Sequence, residues 1–261
     1  MSSDDLQKLL QQTLAALGLT LASGTEAAMV QYLGLVLEAN QTMNLTAITD
    51  PQEAVHKHLV DSLSVLLLKD LAAQAQNAVI WSDIGSGAGF PGIVLALAVP
   101  GALLHLIEST GKKAHFLNTA AASLGLLKRV QVHNQRAEVL AQLPGSERSA
   151  KAIVPRGTSL RGLNDAVFFR GVSRLSALIE LGAPLLKVGG LLVAYKGPKA
   201  EEELHESGKA MKELRMDLVE RKAFELPGVH EARTLICLRK AGETPKRYPR
   251  PIGLAQKEPL M

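Results

Sequence analysis

The sequence predicts an α/β protein with a mostly parallel, twisted, Rossmann-like sheet, helices on both faces and a helical extension at the N-terminus. Aliphatic runs of strand length alternate with helix-length segments from about residue 78 onward, which is the pattern of strand–helix–strand units. A glycine-rich turn follows the first of these runs. Hydrophobic residues make up 47% of the chain but aromatic residues only 3%, so the core is expected to be aliphatic, as in helix-covered parallel sheets.

The first third of the chain is predicted to be helical. Leucines recur at helical spacing at Leu6, Leu9, Leu10, Leu14 and Leu17. Gly18 can end this first helix, and a second is expected from Thr25 to about Asn40. A third helix should begin at Asp50, which can cap free amides and is followed by a proline with no amide to leave unpaired. This third helix is expected to reach about Lys69.

Strands and helices are predicted to alternate through the rest of the chain. The expected strands are 78–84, 103–108, 130–133, 165–169, 191–195, 218–226 and 234–239. The expected helices are 91–99, 112–124, 174–186 and 201–214. The last two strands are close in sequence and are expected to pair. The predicted organisation is therefore an N-terminal helical segment (1–72) packed on a core domain (73–240), followed by a basic C-terminal tail (241–261).

Composition limits the classes of protein that need to be considered. A single cysteine, Cys237, excludes a disulfide framework within the chain and suits a reducing cytoplasm. No signal-peptide pattern and no apolar stretch of the ~20 residues that a membrane helix needs is present, so we expect a cytoplasmic protein without a membrane partner. The net charge of +4 is compatible with a nucleic-acid partner, although many soluble proteins carry a similar excess.

Segment 144–164 is the clearest predicted loop. Four cations, Arg148, Lys151, Arg156 and Arg161, face one acid, Glu147. A solvated surface loop is the favoured interpretation, and a specific contact with RNA is the alternative.

The sharpest motif is the glycine-rich segment from Asp83 to Gly92, between the first predicted strand and the next helix. Glycines there let the backbone curl tightly and approach a ligand, and the free amides of the helix face the same space. A dinucleotide fold would place glycines in the pattern G-x-G-x-x-G, but Phe90 occupies the third position. The segment instead has Gly85, Gly87 and Gly89 in a G-x-G-x-G pattern, which resembles the nucleoside–methionine loop of Rossmann-like methyltransferases.

The next predicted strand ends in an acid, Glu108. A carboxylate there can accept both ribose hydroxyls of an adenosine, because the second strand lies beside the first, and it would repel a 2′-phosphate. Ser109 and Thr110 follow and could line the adenosine side.

Several segments resemble the bacterial glucose-inhibited division protein B family, the small-subunit (16S) ribosomal RNA guanine-N7 methyltransferases. In chain order, the matching segments are 44–48 (NLTAI), 57–63 (KHLVDSL), the glycine loop with its trailing Phe-Pro-Gly, 111–113 (GKK), 136–138 (RAE), 185–190 (LLKVGG), 196–198 (KGP) and 248–250 (YPR). The chain departs from the usual family pattern at 169–171 (FRG) and at 233–234 (RT).

The resemblance implies a class I methyltransferase fold with S-adenosyl-L-methionine as the cofactor. The residues implied for the cofactor site are Gly85, Gly87, Gly89, Phe90, Glu108, Ser109, Thr110, Ala137, Glu138 and Arg170. Phe90 is expected to pack on the cofactor, the Ala137–Glu138 backbone to read the adenine edge, and Arg170 to lie at the mouth of the sheet.

The implied reaction is in-line transfer of a methyl group to guanine N7. This nitrogen has a free lone pair and no proton, so no general base is required and no catalytic residue is assigned. Catalysis would come from alignment and charge stabilisation. The implied partner is 16S ribosomal RNA or the small ribosomal subunit, and a monomer is expected.

Seven residues are candidates for contacts with the RNA. Lys196 and Arg233, together with Arg170, could grip phosphates. Asn44, His58 and Asp61 could shape the guanine pocket or serve in helix packing. Tyr248 and Arg250 lie in a stiff Tyr-Pro-Arg-Pro segment that could present an aromatic face and a cation together.

Two other functions stay open from the residues alone. One is a nicotinamide-dependent oxidoreductase, which Phe90 disfavours. The other is a non-catalytic RNA-binding protein, in which an intact small-molecule site would be superfluous.

Overall fold

Seven strands form one sheet in the computed structural model, which describes residues 1–142, 159–171 and 173–261. The strands are β1 (Val79–Ile84), β2 (Ala102–Ile107), β3 (Val130–His133), β4 (Asn164–Arg170), β5 (Leu186–Lys196), β6 (Met216–Leu226) and β7 (Glu231–Lys240). Their order across the sheet is β3–β2–β1–β4–β5–β7–β6. Neighbours from β3 to β5 are parallel, whereas β7 is antiparallel to both β5 and β6. The predicted fold class is confirmed, and so is the pairing of the last two strands.

Helices cover both faces of this sheet. They are α1 (Ser3–Ala16), α2 (Thr25–Met43), α3 (Pro51–Ala54), α4 (Asp61–Leu63), α5 (Lys69–Gln74), α6 (Gly92–Ala98), α7 (Gly111–Ser123), α8 (Ala137–Leu140), α9 (Leu175–Gly182), α10 (Ala200–Glu206), α11 (Gly208–Leu214) and α12 (Leu254–Lys257). Among the described residues, no helix combines the length and the apolar composition that a membrane span requires.

The third predicted helix is replaced by a series of short segments. Asp50 caps the start as predicted, since its carboxylate accepts the Glu53 amide at 2.8 Å. A π-helical stretch (Val55–Val60) follows α3, and a 3₁₀ stretch (Ser64–Leu67) follows α4. Serine hydroxyls bond to carbonyls of the preceding turn in this region, Ser62 to His58 at 2.5 Å and Ser64 to Asp61 at 2.7 Å. Such bonds compete with the regular helical pattern.

Two other predicted boundaries differ from the structure. The helix expected over 174–186 ends at Gly182, because the chain turns there and enters a longer β5 than predicted. The helix expected over 201–214 is divided at Ser207, whose hydroxyl donates to the Glu203 carbonyl at 2.6 Å. The short helices α8 and α12 were not predicted.

The core has one apolar layer on each face of the sheet. Side chains of β4 alternate between them, with Ala166 and Phe168 on the face covered by the N-terminal helices and Val167 and Phe169 on the other, as the two-residue period of a strand requires. Strand order reverses at β1, which lies between β2 and β4. The crevice at the carboxyl ends of β1 and β4 is where ligands bind in open sheets of this type.

Candidate functional site

The glycine loop leaves β1 at this crevice and enters α6. Gly85, Gly87 and Gly89 have φ values of +74°, +56° and +85°, which side chains rarely adopt. A Cβ built on Gly87 would meet only the Gly85 carbonyl oxygen, at 3.8 Å, whereas one built on Gly89 would lie 2.2 Å from the hydroxyl of Tyr32. The loop is therefore open toward a ligand at Gly87 and closed by packing at Gly89.

Asp83 links the glycine loop to the start of the following helix, α6. Its carboxylate accepts the Gly92 amide at 3.0 Å and is buried. Burial raises the pKa of Asp83 to about 7, because removing a carboxylate from water disfavours its charged form. Asp83 thus supports the loop and does not face the crevice.

Glu108 follows the end of β2, as the sequence predicts, and joins this strand end to the glycine loop, which was not predicted. One carboxylate oxygen accepts the Gly87 amide at 3.0 Å and the other accepts the Thr110 amide at 2.7 Å. A carboxylate has about four acceptor positions, so lone pairs remain for a further donor. The structure therefore brings Glu108, Gly87 and Thr110 together.

A cavity lies beside this cluster, between the ends of β1 and β2 and the start of α8. Four of the sequence-predicted cofactor residues line it, namely Gly85, Ser109, Ala137 and Glu138. The Glu138 carboxylate accepts the amide of Gly253 at 2.9 Å, so that side chain is engaged with the C-terminal part of the chain. Gln256, which the sequence analysis did not single out, also lines the cavity.

Phe90 lies on the far side of the loop and is packed between side chains. The His58 ring stacks on it with 4.5 Å between centroids, and the Arg170 guanidinium carbon lies 5.9 Å from its centroid. Only 6% of Phe90 is exposed, so its ring joins the glycine loop to the N-terminal helices. This arrangement favours packing of Phe90 on His58 and Arg170 over the expected packing on the cofactor.

His58 is held in place on its other edge. Its Nε2 atom lies 2.8 Å from the Thr46 hydroxyl, a contact not predicted from the sequence. Burial, and to a lesser extent the nearby positive charge of Arg170, lowers the pKa of His58 to about 4. His58 is therefore neutral at physiological pH. Asn44, the other residue proposed to shape the guanine pocket, is exposed at the end of α2.

Asp61 connects three separate parts of the chain. Its buried carboxylate accepts Arg170 Nε from the end of β4 at 2.8 Å and Arg233 Nε from β7 at 3.3 Å. Arg170 also donates to the Lys57 carbonyl, and Arg233 pairs with Glu231 at 2.7 Å. The sequence identified Asp61, Arg170 and Arg233 separately, and the structure makes them one cluster at the crevice.

Other cations proposed for RNA are engaged within the protein. Lys196 is nearly buried and donates to Glu203 at 2.7 Å and to the Ser173 carbonyl at 2.6 Å. Arg161 donates to the carbonyls of Ala141 and Tyr248, both at 2.8 Å. These contacts replace the free phosphate-gripping cations that the sequence suggested. Arg148, Lys151 and Arg156 lie outside the described residues.

The Tyr-Pro-Arg-Pro segment faces inward. Tyr248 is 4% exposed and its hydroxyl bonds to Glu213. Arg250 pairs through Nη2 with the buried carboxylate of Glu180 at 2.6 Å. The expected surface with an aromatic face and a free cation is therefore absent from this described segment, because Tyr248 is buried and both side chains have carboxylate partners.

Within the described residues, no three His, Cys, Asp or Glu side chains are grouped so that they could hold a metal ion.

Comparison with known proteins gives a consistent result. Residues 25–232 match the family model of rRNA small subunit methyltransferase G. A relative from Carboxydothermus hydrogenoformans, named ribosomal RNA small subunit methyltransferase G, is 37% identical over 98% of this chain and 100% of its own length. A relative of the same name from Sorangium cellulosum is 41% identical over 91% of this chain and 89% of its own.

A solved structure supports the fold alone. A Galdieria sulphuraria protein assigned as a sarcosine dimethylglycine methyltransferase superposes with a TM-score of 0.52 and 12% sequence identity. The match covers 74% of this chain and 87% of the Galdieria protein.

Proposed function

Because this chain belongs to the rRNA small subunit methyltransferase G family, we propose that it transfers a methyl group from S-adenosylmethionine to N7 of a guanine in 16S ribosomal RNA. It is an S-adenosylmethionine-dependent rRNA methyltransferase, as the resemblance implied. Neither an oxidoreductase nor a non-catalytic RNA-binding protein is favoured by these relatives.

The observation that carries the proposal is the joining of Gly87 and Glu108 across the ends of β1 and β2. Glu108 is oriented by two backbone amides, so it can accept ribose hydroxyls with little further ordering. Gly87 leaves room for a ligand beside it. The cavity next to Glu108 is lined by Gly85, Ser109 and Ala137, which suits a flat base, so these residues fit the cofactor.

When bound, S-adenosylmethionine supplies an electrophilic methyl group on a sulfonium. The remaining contribution of the protein is to orient the guanine. Guanine N7 needs no deprotonation, and the lowered pKa of His58 makes its ring a weak general base. We therefore propose that no side chain acts as a catalytic acid or base. The rate enhancement comes from alignment of the reactants and from electrostatics.

The guanine is proposed to enter beside the Asp61 cluster. Arg170 ends β4 at the crevice, and Arg233 lies next to it with about a fifth of its side chain exposed. Two guanidinium groups share one carboxylate there, and Arg233 has a second partner in Glu231. We propose that Arg170 and Arg233 position the RNA, with Asn44 and His58 shaping the pocket. Lys196, Tyr248 and Arg250 are proposed to support the site indirectly through their carboxylate partners.

The proposed partner is the small ribosomal subunit or its 16S RNA, and the proposed site of action is the cytoplasm, with the protein as a monomer. A labelled-methyl transfer assay tests the function. Purified protein, labelled S-adenosylmethionine and either 16S RNA or small subunits lacking the modification should yield N7-methylguanine at one position, mapped by mass spectrometry of nuclease fragments. Gly87→Val serves as the inactive control. Incorporation into neither substrate, or tight binding of NAD, would refute the proposal.

A further inference from the structure

The C-terminal strap, residues 243–260, reaches the cavity that carries the predicted cofactor residues. Its last helix, α12, places Gln256 in the lining of that cavity, together with Ser109, Ala137 and Glu138. The Gln256 side chain is exposed, so its amide has no fixed role in the packing. The strap therefore contributes a polar group to a wall that is otherwise built from the carboxyl ends of the strands, the loops that follow them, α8 and α9.

The strap is fastened along its length. Arg161 donates to the carbonyls of Thr244 at 3.2 Å and Tyr248 at 2.8 Å. Arg250 forms a two-pronged pair with Glu180, with Nε–Oε1 at 2.9 Å and Nη2–Oε2 at 2.6 Å. A two-pronged guanidinium–carboxylate pair is geometrically specific, so the strap has a defined position relative to α9.

The end of the strap is fixed beside the cavity itself. The amide of Gly253 donates to Glu138 Oε1 at 2.9 Å. Ala255 and Leu260 are buried in the core layer on this face of the sheet. Gln256, which lies between these two buried residues in sequence, therefore lines the cavity from an anchored part of the strap.

A primary amide is chemically suited to adenine. It offers an N–H donor and a C=O acceptor side by side, and adenine presents an amino donor next to a ring-nitrogen acceptor. Glu138 cannot supply the same pair, since a carboxylate only accepts and one of its oxygens already accepts from the strap. We propose that Gln256 is a specificity-determining residue of the cofactor site, reading the amino edge of adenine. This inference rests on the proposed use of S-adenosylmethionine.

Calorimetric titration with two ligands tests the role of Gln256. The ligands are S-adenosylhomocysteine and its analogue whose purine lacks the 6-amino group. The full-length wild type should prefer the amino-bearing ligand by about five- to tenfold, the value of one neutral hydrogen bond. Gln256→Ala should weaken S-adenosylhomocysteine binding by a similar factor and remove most of that preference. The matched control is Lys257→Ala, an exposed neighbour on α12 that does not line the cavity, and it should behave as wild type.

The outcomes separate this inference from the proposed function. If the wild type binds and methylates normally and Gln256→Ala keeps the full preference for the amino group, the role of Gln256 is overturned and the function stands. Gln135 lines the same cavity and carries the same amide, so loss of the preference in Gln135→Ala alone would also overturn it. A wild type that binds neither ligand would overturn the proposed function, and the inference with it.

Discussion

At the scale of single residues, the glycine loop contains positions with different physical requirements. Gly87 and Gly89 share the left-handed backbone conformation, but only Gly89 is surrounded by side chains, with Ile93 and Leu117 each 2.9 Å from a Cβ built there. A side chain at Gly87 would project toward the ligand, and a side chain at Gly89 would project into the contact between α2 and α7. Substitutions at the two positions should therefore fail for different reasons.

Gly87→Val should abolish S-adenosylmethionine binding in a chain that still folds. Backbone strain at φ +56° costs of order 1–2 kcal/mol, and the added methyl groups occupy the space of the ligand. Gly89→Ala should instead lower the free energy of unfolding by about 1–3 kcal/mol through overpacking. Calorimetry with the cofactor and urea unfolding of both variants check this contrast. A folded Gly87→Val variant with unchanged cofactor affinity would remove the loop from the site.

Glu108→Ala should weaken S-adenosylmethionine and S-adenosylhomocysteine equally. The lost charge-assisted hydrogen bond is worth about 1.5–3 kcal/mol, or roughly ten- to a hundredfold in affinity, and both ligands carry the same ribose. Glu108→Gln keeps one acceptor oxygen for the Gly87 or Thr110 amide and should lose less. Calorimetric titrations measure both affinities, and a variant that bound one ligand normally and the other poorly would contradict a ribose contact.

At the scale of elements, Asp61 links the N-terminal helices to the sheet. It lies in α4 and pairs with Arg170 of β4 and Arg233 of β7, and its side chain is only 4% exposed. Removing one partner of a buried ion pair leaves an uncompensated charge. The effect here should be moderated because both arginines retain some contact with water.

Asp61→Ala should therefore lower the free energy of unfolding by about 3 kcal/mol, at the lower end for a buried pair, and should also reduce methyl transfer. The matched control is Glu225→Ala, which removes an exposed carboxylate from its contact with the exposed His230 and should cost less than about 1 kcal/mol. Urea unfolding of both variants is the measurement. Equal losses of stability would show that the Asp61 cluster has no special energetic role.

Element boundaries were predictable where a local signal marks them. Asp50 before a proline marked a helix start correctly, and β3 was predicted to the residue. The π-helical stretch that carries His58 was not predictable, because π and α helices place apolar residues on nearly the same face and differ only in the hydrogen-bond partner of each amide. The alternation of strands and helices and the position of the glycine loop followed from patterns that are local in sequence, whereas this irregularity depends on tertiary contacts.

At the scale of the whole molecule, the pairing of charged side chains could not be predicted from the sequence. Arg170 was proposed for a ligand because it ends a strand at the mouth of the sheet, and Arg250 because it lies in the Tyr-Pro-Arg-Pro segment. Their carboxylate partners, however, lie 109 and 70 residues away in the chain. A sequence lists charged residues but not which of them the fold brings together. The proximity of Gly85, Gly87 and Glu108 was easier to predict, because these residues lie at the ends of adjacent strands whose pairing is set by the fold class.

Buried titratable groups also act together across the molecule. Burial, and to a lesser extent the neighbouring His133 at 3.0 Å, lowers the pKa of His105 to about 4. Burial likewise lowers the pKa of His133 and, together with Arg170, that of His58. Asp83 shifts the other way, since burial raises its pKa to about 7. The three histidines and Asp83 therefore make opposite contributions to stability in mildly acidic solution.

The sign of each contribution follows from which state binds more protons. The histidines are protonated in the unfolded chain below pH ~6.5 but resist protonation in the fold, so their contribution to stability is present above that pH and is lost as the pH falls toward about 4. Asp83 is protonated in the fold below about pH 7, so its contribution is greatest at low pH and is lost as the pH rises toward 7. The histidines outnumber the single carboxyl, and stability should fall on acidification.

Two variants should change the slope of this loss in opposite directions. His105→Gln removes a group that resists protonation and should make stability fall less between pH 6.5 and about 4. Asp83→Asn keeps an oxygen for the Gly92 amide but no longer takes up a proton on folding, so its stability should fall more steeply than that of wild type over the same range. Urea unfolding at half-unit pH steps measures the slopes. Parallel curves for the three proteins would mean that these buried groups do not control the acid response.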